Sequence, residues 1–327
     1  MIEKLRIYES NLVNPHTNLA IEKYLLDAVA PNECILYLWQ NQNTVVIGRN
    51  QNPWVECRTS LLEEEGGHLA RRLSGGGAVF HDLGNLNFTF LVSPDNYDVD
   101  KQLSVIQAAC SYAGITAEKS GRNDLLAAGS KFSGNAFYKT KQGAYHHGTI
   151  LLSANMDKLS RYLSPSKAKL QAKGVASVRS RVINLTELAP ELTVVTMKQY
   201  MAKAFSAVYG LEAETVILDG QAWAQIEQTA KLYGSWDYLY GTPLPFSFSC
   251  EARYDWGQIR LELQAINGII IGVKAYSDSM DWQLSAQVEQ ALKGCAFRLG
   301  DMQKALQNHL EGQVAADLCC LLQEQNL

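Results

Sequence analysis

The sequence predicts an α+β protein of two domains, on three observations. Strands and helices are mixed along the chain without the βαβ beat of a doubly wound sheet. The 327 residues exceed what one ordinary core accommodates. The run Trp236-Asp237-Tyr238-Leu239-Tyr240-Gly241-Thr242-Pro243-Leu244-Pro245 carries the prolines and turn residues of a boundary. These place a first domain at 1–245 and a second at 246–327.

Alternating apolar residues predict strands over Lys4 to Tyr8, Cys34 to Trp39 and Thr44 to Ile47. Between the first two, Leu19, Ile21, Leu25 and Leu26 recur at helical spacing and predict a helix over Asn18 to Ala28. Pro53 and the Gly66-Gly67 pair bracket a helix over Trp54 to Glu65. His68 to Leu73 and Ala78 to His81 read as strands flanking three glycines, and Leu86 to Val92 continues the sheet. A helix over Asp98 to Ala113 precedes a strand over Ile115 to Lys119. Asp124 to Leu126, Lys131 to Tyr138 and Tyr145 to Leu152 form a meander with turns at Gly129-Ser130 and Gln142-Gly143. Helices near Met197 to Tyr209 and Ala222 to Leu232 complete the first domain. The second has strands over Phe246 to Tyr254, Ile259 to Ile266 and Gly268 to Ala275, then helices at about Trp282 to Leu292, Met302 to Leu310 and Val314 to Leu322.

A hydrophobic fraction of 47% and a charged fraction of 19% are those of a globular enzyme. The net charge of −4 argues against a nucleic-acid partner, which calls for an overall basic protein. Seven scattered cysteines without a C-x-x-C pair fit free thiols in a reducing compartment. Met1-Ile2-Glu3-Lys4-Leu5-Arg6 lacks an apolar signal core, and no stretch approaches the ~18 apolar residues of a membrane span. The expectation is a cytoplasmic protein without a membrane partner.

The most informative stretch is Arg71-Arg72-Leu73-Ser74-Gly75-Gly76-Gly77-Ala78-Val79-Phe80-His81-Asp82. Consecutive glycines leave backbone N–H groups uncovered, as an anion-wrapping loop requires. The spacing is neither a Walker loop, which needs Gly-Lys-Ser/Thr, nor a Rossmann turn, which opens a helix. A glycine-rich hairpin between core strands explains the same residues. Arg72 supplies a charged fork suited to phosphate or carboxylate, while Arg71 points to the other face of its strand. Lys131 stands among small residues that leave its ammonium accessible, although a lone lysine is ordinarily a solvated surface group. Asn123 and Asp124 are hard oxygen donors for Mg²⁺, or an Asx-capped turn. Asn85, after Gly84, is a turn residue or an adenine contact. His146 and His147 fall on opposite faces of a strand, without a third ligand at zinc spacing. From Lys158 to Thr186 seven basic residues occur without an acidic one, either a solvated surface or a loop that closes over an anion.

The run RRLSGGGAVFHDLGNLNFTF, followed by SGRNDLL, KFSGNAFY, YHHGTILL and KGVASVRSRVINL, resembles the lipoate-protein ligase family in that order and at similar spacing. The resemblance extends from about Tyr8 to about Tyr209, with a weaker echo beyond. It implies a biotin/lipoate ligase-like catalytic domain of mixed and antiparallel sheets flanked by helices, with a small α+β C-terminal domain of the self-sufficient form. It also implies an ATP- and Mg²⁺-dependent ligase that converts lipoate to lipoyl-AMP. The lipoyl group then passes to a lysine on lipoyl domains of 2-oxoacid dehydrogenase E2 subunits or the glycine cleavage H protein.

By the same resemblance Arg72, Gly77, Ala78, Val79, Phe80 and Lys131 contact ATP. Arg72, Ser74, Gly75, Gly76, Lys131 and His147 contact lipoate, with Lys131 as the catalytic cation between two anions. Asn85, Asn123, Asp124, Lys173 and Gly174 are further nucleotide or Mg²⁺ contacts, the metal reached through Asp124 rather than held in a protein cage. Val79, Phe80 and Phe137 are expected along the apolar tail. Two alternatives stand beside this reading: an octanoyl or lipoyl acyltransferase of the same fold, working through a cysteine thioester, and a non-catalytic lipoate sensor. The region from Lys158 to Thr186 contains no cysteine, which disfavours the first; Lys131 and Arg72 together disfavour the second. Biotin ligases, which share acyl-adenylate transfer, carry a G-R-G-R signature absent here.

Overall fold

The computed structural model describes the chain except Asn50, Asn52, Arg122, Asn123, residues 164–181 and 241–245, Asp278, Met280, Trp282, Asn326 and Leu327. It divides into two compact units, Met1–Gln51 with Gly67–Gly234, and Asn52–Gly66 with Ser235–Leu327. The α+β class stands. Among the described residues no helix is long and apolar enough to cross a membrane.

The first unit is built on an eight-stranded mixed sheet. Its strands in chain order are β1 (Lys4–Glu9), β2 (Glu33–Trp39), β6 (Asn85–Val92), β7 (Ala117–Ser120), β8 (Asp124–Ala127), β9 (Ser130–Lys139), β10 (Ala144–Leu151) and β11 (Ala213–Thr215). Spatially they run β11-β1-β2-β6-β10-β9-β8-β7, with β1 parallel to both its neighbours and the other pairs antiparallel. A second sheet, β4-β3-β5, comprises β3 (Thr44–Ile47), β4 (His68–Arg71) and β5 (Val79–His81).

Alternation sorts the large sheet into two faces. Cys34, Leu36 and Leu38 of β2, Leu86, Phe88 and Phe90 of β6 and Ile150 of β10 form one apolar core with residues of helices Val99–Tyr112 and Val194–Tyr209. The opposite face carries Asn85, Asn87, Thr89 and His147, all buried although polar. Helix α1 (Pro15–Ala28) sends Glu22 to this second face, where its carboxylate accepts from Thr89 Oγ1 at 2.7 Å. Its start lies three residues earlier than the spacing predicts, because the Asn14 side chain accepts from the His16 and Thr17 backbone N–H groups at 3.0 and 3.1 Å.

His146 belongs to the apolar face. Its ring packs on Phe88, Phe90 and Phe137, and its nitrogens meet Asn135 Oδ1 at 2.8 Å and Gln102 Oε1 at 3.2 Å. Burial drives its pKa down to about 3, and that of His81 likewise, with Arg72 and His147 adding to the shift of His81. Unfolded histidines take up a proton near pH 6.5, the folded rings only near 3, so the unfolded state binds more protons throughout that window. Stability is therefore complete above pH 6.5 and falls as the pH decreases, by up to about 1.4 kcal/mol per pH unit for each ring. Urea midpoints between pH 7 and 5.5, above the range of most carboxylates, test this; a flat profile contradicts it.

The second unit has an antiparallel sheet, β12 (Phe246–Tyr254), β13 (Gly257–Ile266) and β14 (Ile269–Ser277), packed with helices Leu284–Leu292, Leu299–His309 and Gly312–Glu324. The segment Asn52–Gly66, expected in the first domain, clusters here: the Trp54 ring meets Phe297 and Tyr240 at 5.2 and 5.1 Å, and Glu63 pairs with Arg298 at 2.5 Å. It is also not one helix. Pro53–Glu56 and Thr59–Glu64 are separate turns, because Cys57 is fully buried and Arg58 leaves helical geometry at φ −78°, ψ 77°.

Candidate active site

The glycine turn joins β4 to β5 and is held by its own arginine. Arg72 is buried, and its Nη2 donates to the carbonyls of Gly75 and Gly77 at 2.7 Å each. Nε donates to Ser74 Oγ at 3.1 Å and Nη1 to the Val46 carbonyl at 3.2 Å. Burial lowers the guanidinium pKa to about 10, which leaves it charged at neutral pH. Arg72 is thus the staple of the loop. The three glycines stay exposed, while Ser74 is buried and Phe80 packs on Tyr162, ring centroids 5.4 Å apart. Ala78 and Val79 are partly buried between them.

Gly48 seats the turn from below. A Cβ there would lie 2.3 Å from the Gly76 carbonyl oxygen, so no other residue fits without displacing the loop. Arg49 N donates to the Ser74 carbonyl at 2.9 Å and closes the seat. Arg71, on the other face of β4 as alternation predicts, donates to the carbonyls of Gly48, Arg49 and Gln51.

Ser74 fastens the turn to the polar face of the large sheet. Its Oγ lies 2.7 Å from His147 Nε2, and His147 Nδ1 lies 2.8 Å from Glu22 Oε1. His146 and His147 point to opposite faces, as expected from strand alternation.

Lys131 reaches that same polar face by an irregularity. In β8 and β9 the register runs Asp124 with Gly134 and Leu125 with Ser133, then skips to Leu126 with Lys131, leaving Phe132 as a bulge. Phe132 enters the apolar core, and Lys131 joins the face of Asp124, Gly134 and Ala136, the residue paired with His147. Its Nζ lies 3.1 Å from the position a Cβ on Gly134 would take, and 2.6 Å from Asp124 Oδ1. Gly134 is opposite Thr149 Oγ1, to which its N–H donates at 3.4 Å. The backbone of Lys131 also accepts from Ile183 N at 2.9 Å, so the chain after the basic segment is tied to this lysine. The Lys131 ammonium thus lies on the face of the large sheet to which Ser74 pins the exposed glycine turn, and these two are the candidate contacts for an anion.

Residues 14–206 match the family model of the lipoyl protein ligase A/B catalytic domain. The chain belongs to this family. Residues 244–316 match the bacterial lipoate protein ligase C-terminus. The lipoate-protein ligase A of Bdellovibrio bacteriovorus is 40% identical over 312 residues, covering 93% of this chain and 92% of that protein. Among solved structures, P. falciparum LipL1 in complex with lipoate superposes with a TM-score of 0.64 at 28% identity, covering 98% of this chain and 99% of that one. A bi-partite lipoate protein ligase of Thermoplasma acidophilum, described with its E2 lipoyl domain, gives 0.65 at 23% identity over 73% of this chain and 96% of its own, a likeness of fold.

Within this candidate site the sequence-predicted residues divide. Arg72, Ser74, Gly75 to Gly77, Ala78, Val79, Phe80, Asn85, Asp124, Lys131 and His147 lie in the glycine turn or on the sheet face beneath it. Asn123, Lys173 and Gly174 lie outside the described residues. Phe137, expected along the tail, packs on His146 with ring centroids 5.1 Å apart and so faces away from the turn. Asn85 Nδ2 donates to Asn87 Oδ1 at 2.9 Å, leaving Asn85 Oδ1 and Asn87 Nδ2 buried without partners. Sequence reading missed Glu22, Trp39, Thr89 and Asn87, which come from distant segments. Glu22 had a signal: it follows Leu19 by three and precedes Leu25 and Leu26 by three and four, an acid on the apolar stripe of a helix.

Proposed function

We propose that this chain is an ATP-dependent lipoate–protein ligase that joins lipoate to AMP and then passes the acyl group to a lysine of a lipoyl domain. The observation that carries the reading is the Lys131 ammonium, fixed over Gly134 on the sheet face to which Ser74 pins the glycine turn. Adenylation brings a carboxylate onto an α-phosphorus, two anions that repel, while charge gathers on the phosphoryl oxygens. A cation between them offsets both terms. The carboxylate oxygen forms the new bond to phosphorus and pyrophosphate departs; a lysine amine later attacks the acyl carbon and AMP leaves. The glycine backbone N–H groups suit the phosphate, and Lys131 suits the meeting point. The names of the relatives support this: one is a lipoate-protein ligase A and another was solved with lipoate.

Among the described residues no group of three His, Cys, Asp or Glu side chains is arranged to hold a metal, and Asp124 is ion-paired to Lys131. Mg²⁺ enters this reading as the companion of ATP, with Asp124 the residue that would reach it. Lipoyl domains of 2-oxoacid dehydrogenase E2 subunits and of the glycine cleavage H protein are the acceptors we propose, and the cytoplasm the compartment. An acyltransferase working through a thioester would need an accessible thiolate. In the first unit Cys34 and Cys110 are buried in the apolar core with thiol pKa values raised to about 12 by burial. Incubation with lipoate, ATP and pyrophosphatase should yield lipoyl-AMP by mass spectrometry, before and after alkylation of the accessible thiols. No acyl-adenylate from the untreated protein disposes of the ligase; an acyl group on a protein thiol in its place restores the thioester route.

A further inference from the structure

The buried face beneath the glycine turn holds a chain of hydrogen bonds whose direction is fixed at both ends. Trp39 Nε1, a donor only, gives its proton to Thr89 Oγ1 at 3.2 Å. Thr89 therefore donates its own hydrogen to Glu22 Oε1 at 2.7 Å. At the other end Arg72 Nε, again only a donor, gives to Ser74 Oγ. Between them His147 spans from the Glu22 carboxylate at Nδ1 to Ser74 at Nε2. A carboxylate accepts only, so the Nδ1 side carries the proton, and Nε2 is left as the acceptor for the Ser74 hydroxyl. The Tyr145 ring, 4.6 Å away centre to centre, holds the imidazole in place.

Glu22 is 1% exposed, and apolar packing of α1 gives no reason for an acid there. Burying a carboxylate is unfavourable unless its oxygens are hydrogen-bonded, and here the bonds lead from one helix, through three strands of the sheet, to the loop. We propose that Glu22, acting through His147, is a positioning residue for adenylation: it orients the imidazole so that Nε2 holds the Ser74 hydroxyl, and thereby the Arg72 staple and the carbonyls of Gly75 and Gly77. This role rests on the ligase reading above. In this arrangement the Ser74 proton is committed to His147, so Ser74 shapes the turn rather than donating to the substrate carboxylate.

Glu22→Met tests the idea with little change of volume. It removes the acceptor of the Nδ1 proton, whereas Glu22→Gln keeps an oxygen where the one carboxylate oxygen receives both Thr89 Oγ1 and His147 Nδ1. Two-dimensional ¹⁵N NMR of the histidine rings should report His147 as the Nδ1–H tautomer in the wild type and in Glu22→Gln, with that preference lost in Glu22→Met. The rate of lipoyl-AMP formation should fall roughly tenfold to a hundredfold in Glu22→Met, the scale of a misplaced loop, and by less in Glu22→Gln, with the thermal midpoint much less affected. In a double-mutant cycle Glu22→Met should add nothing further to Ser74→Ala, because both act through one bond. A purely structural carboxylate would give additive losses and no change of tautomer. A wild-type ring protonated at Nε2 overturns the proposal even if Glu22→Met fails to fold, and additive losses overturn it if it folds. A wild type that shows the expected tautomer but makes no lipoyl-AMP overturns the ligase reading instead, and this role falls with it.

Discussion

Replacing Lys131 by alanine should slow lipoyl-AMP formation by about 10²–10³-fold, the cost of removing one preorganised charge at developing phosphoryl oxygens. The fold should survive. The Lys131 and Asp124 side chains are 34% and 35% exposed, and a pair so open to solvent contributes no more than about 1 kcal/mol. The aliphatic stem lies against Gly134, a contact that alanine surrenders without leaving a buried cavity. Lys131→Arg should not rescue the rate, because a planar guanidinium does not reproduce a compact ammonium at the meeting point of two anions. Quench-flow measurement of the acyl-adenylate beside a thermal melt separates the two effects. A wild-type rate in Lys131→Ala ends the mechanism proposed here; a collapsed melting transition would instead mean that the ion pair holds β8 to β9.

The second large effect is expected at Gly48, beneath the turn. Gly48→Ala drives a methyl to 2.3 Å from the Gly76 carbonyl oxygen, a backbone atom that cannot swing aside as a side chain would. Either the turn rises by about 1 Å, which costs roughly a hundredfold in rate when it misplaces reacting groups, or β3 yields and stability drops by about 1–3 kcal/mol. Both outcomes are measurable, the first as a loss of adenylation at an unchanged urea midpoint, the second as a shifted midpoint. Gly75→Ala is the control: a Cβ there meets nothing within 4 Å, so the protein should fold as the wild type does. Equal behaviour of the two variants would show that the seat beneath the turn is irrelevant.

Much of the candidate site was legible because it is local. Arg72, Ser74 and three glycines adjoin one another, and a glycine run between strands permits few backbone uses. Lys131 stood out from its small neighbours. What could not be read was direction. Arg72 looked like a fork offered to a ligand, yet buried beneath the turn its donors go to carbonyls of its own loop, the nearest acceptors available. Phe137 looked like a wall of the tail pocket, yet its register with His146 turns it to the other side. Glu22 lies 52 residues before Ser74 and 125 before His147 in the chain, so the bond that joins them has no local signature.

The sequence by itself determined the class of the fold and the order of its elements, because hydrophobic period acts over a few residues, and through a family resemblance it marked the glycine turn as the candidate anion contact. Tertiary structure alone decided which side of the sheet the catalytic candidates occupy. One bulged residue, Phe132, inverts the alternation of β9 at its start, sending a phenyl ring into the core and the neighbouring ammonium to the face of Asp124 and Gly134. The cost of exposing that ring to water, set by the helices packed on the other face, is what selects this register. No pattern within the strand announces it.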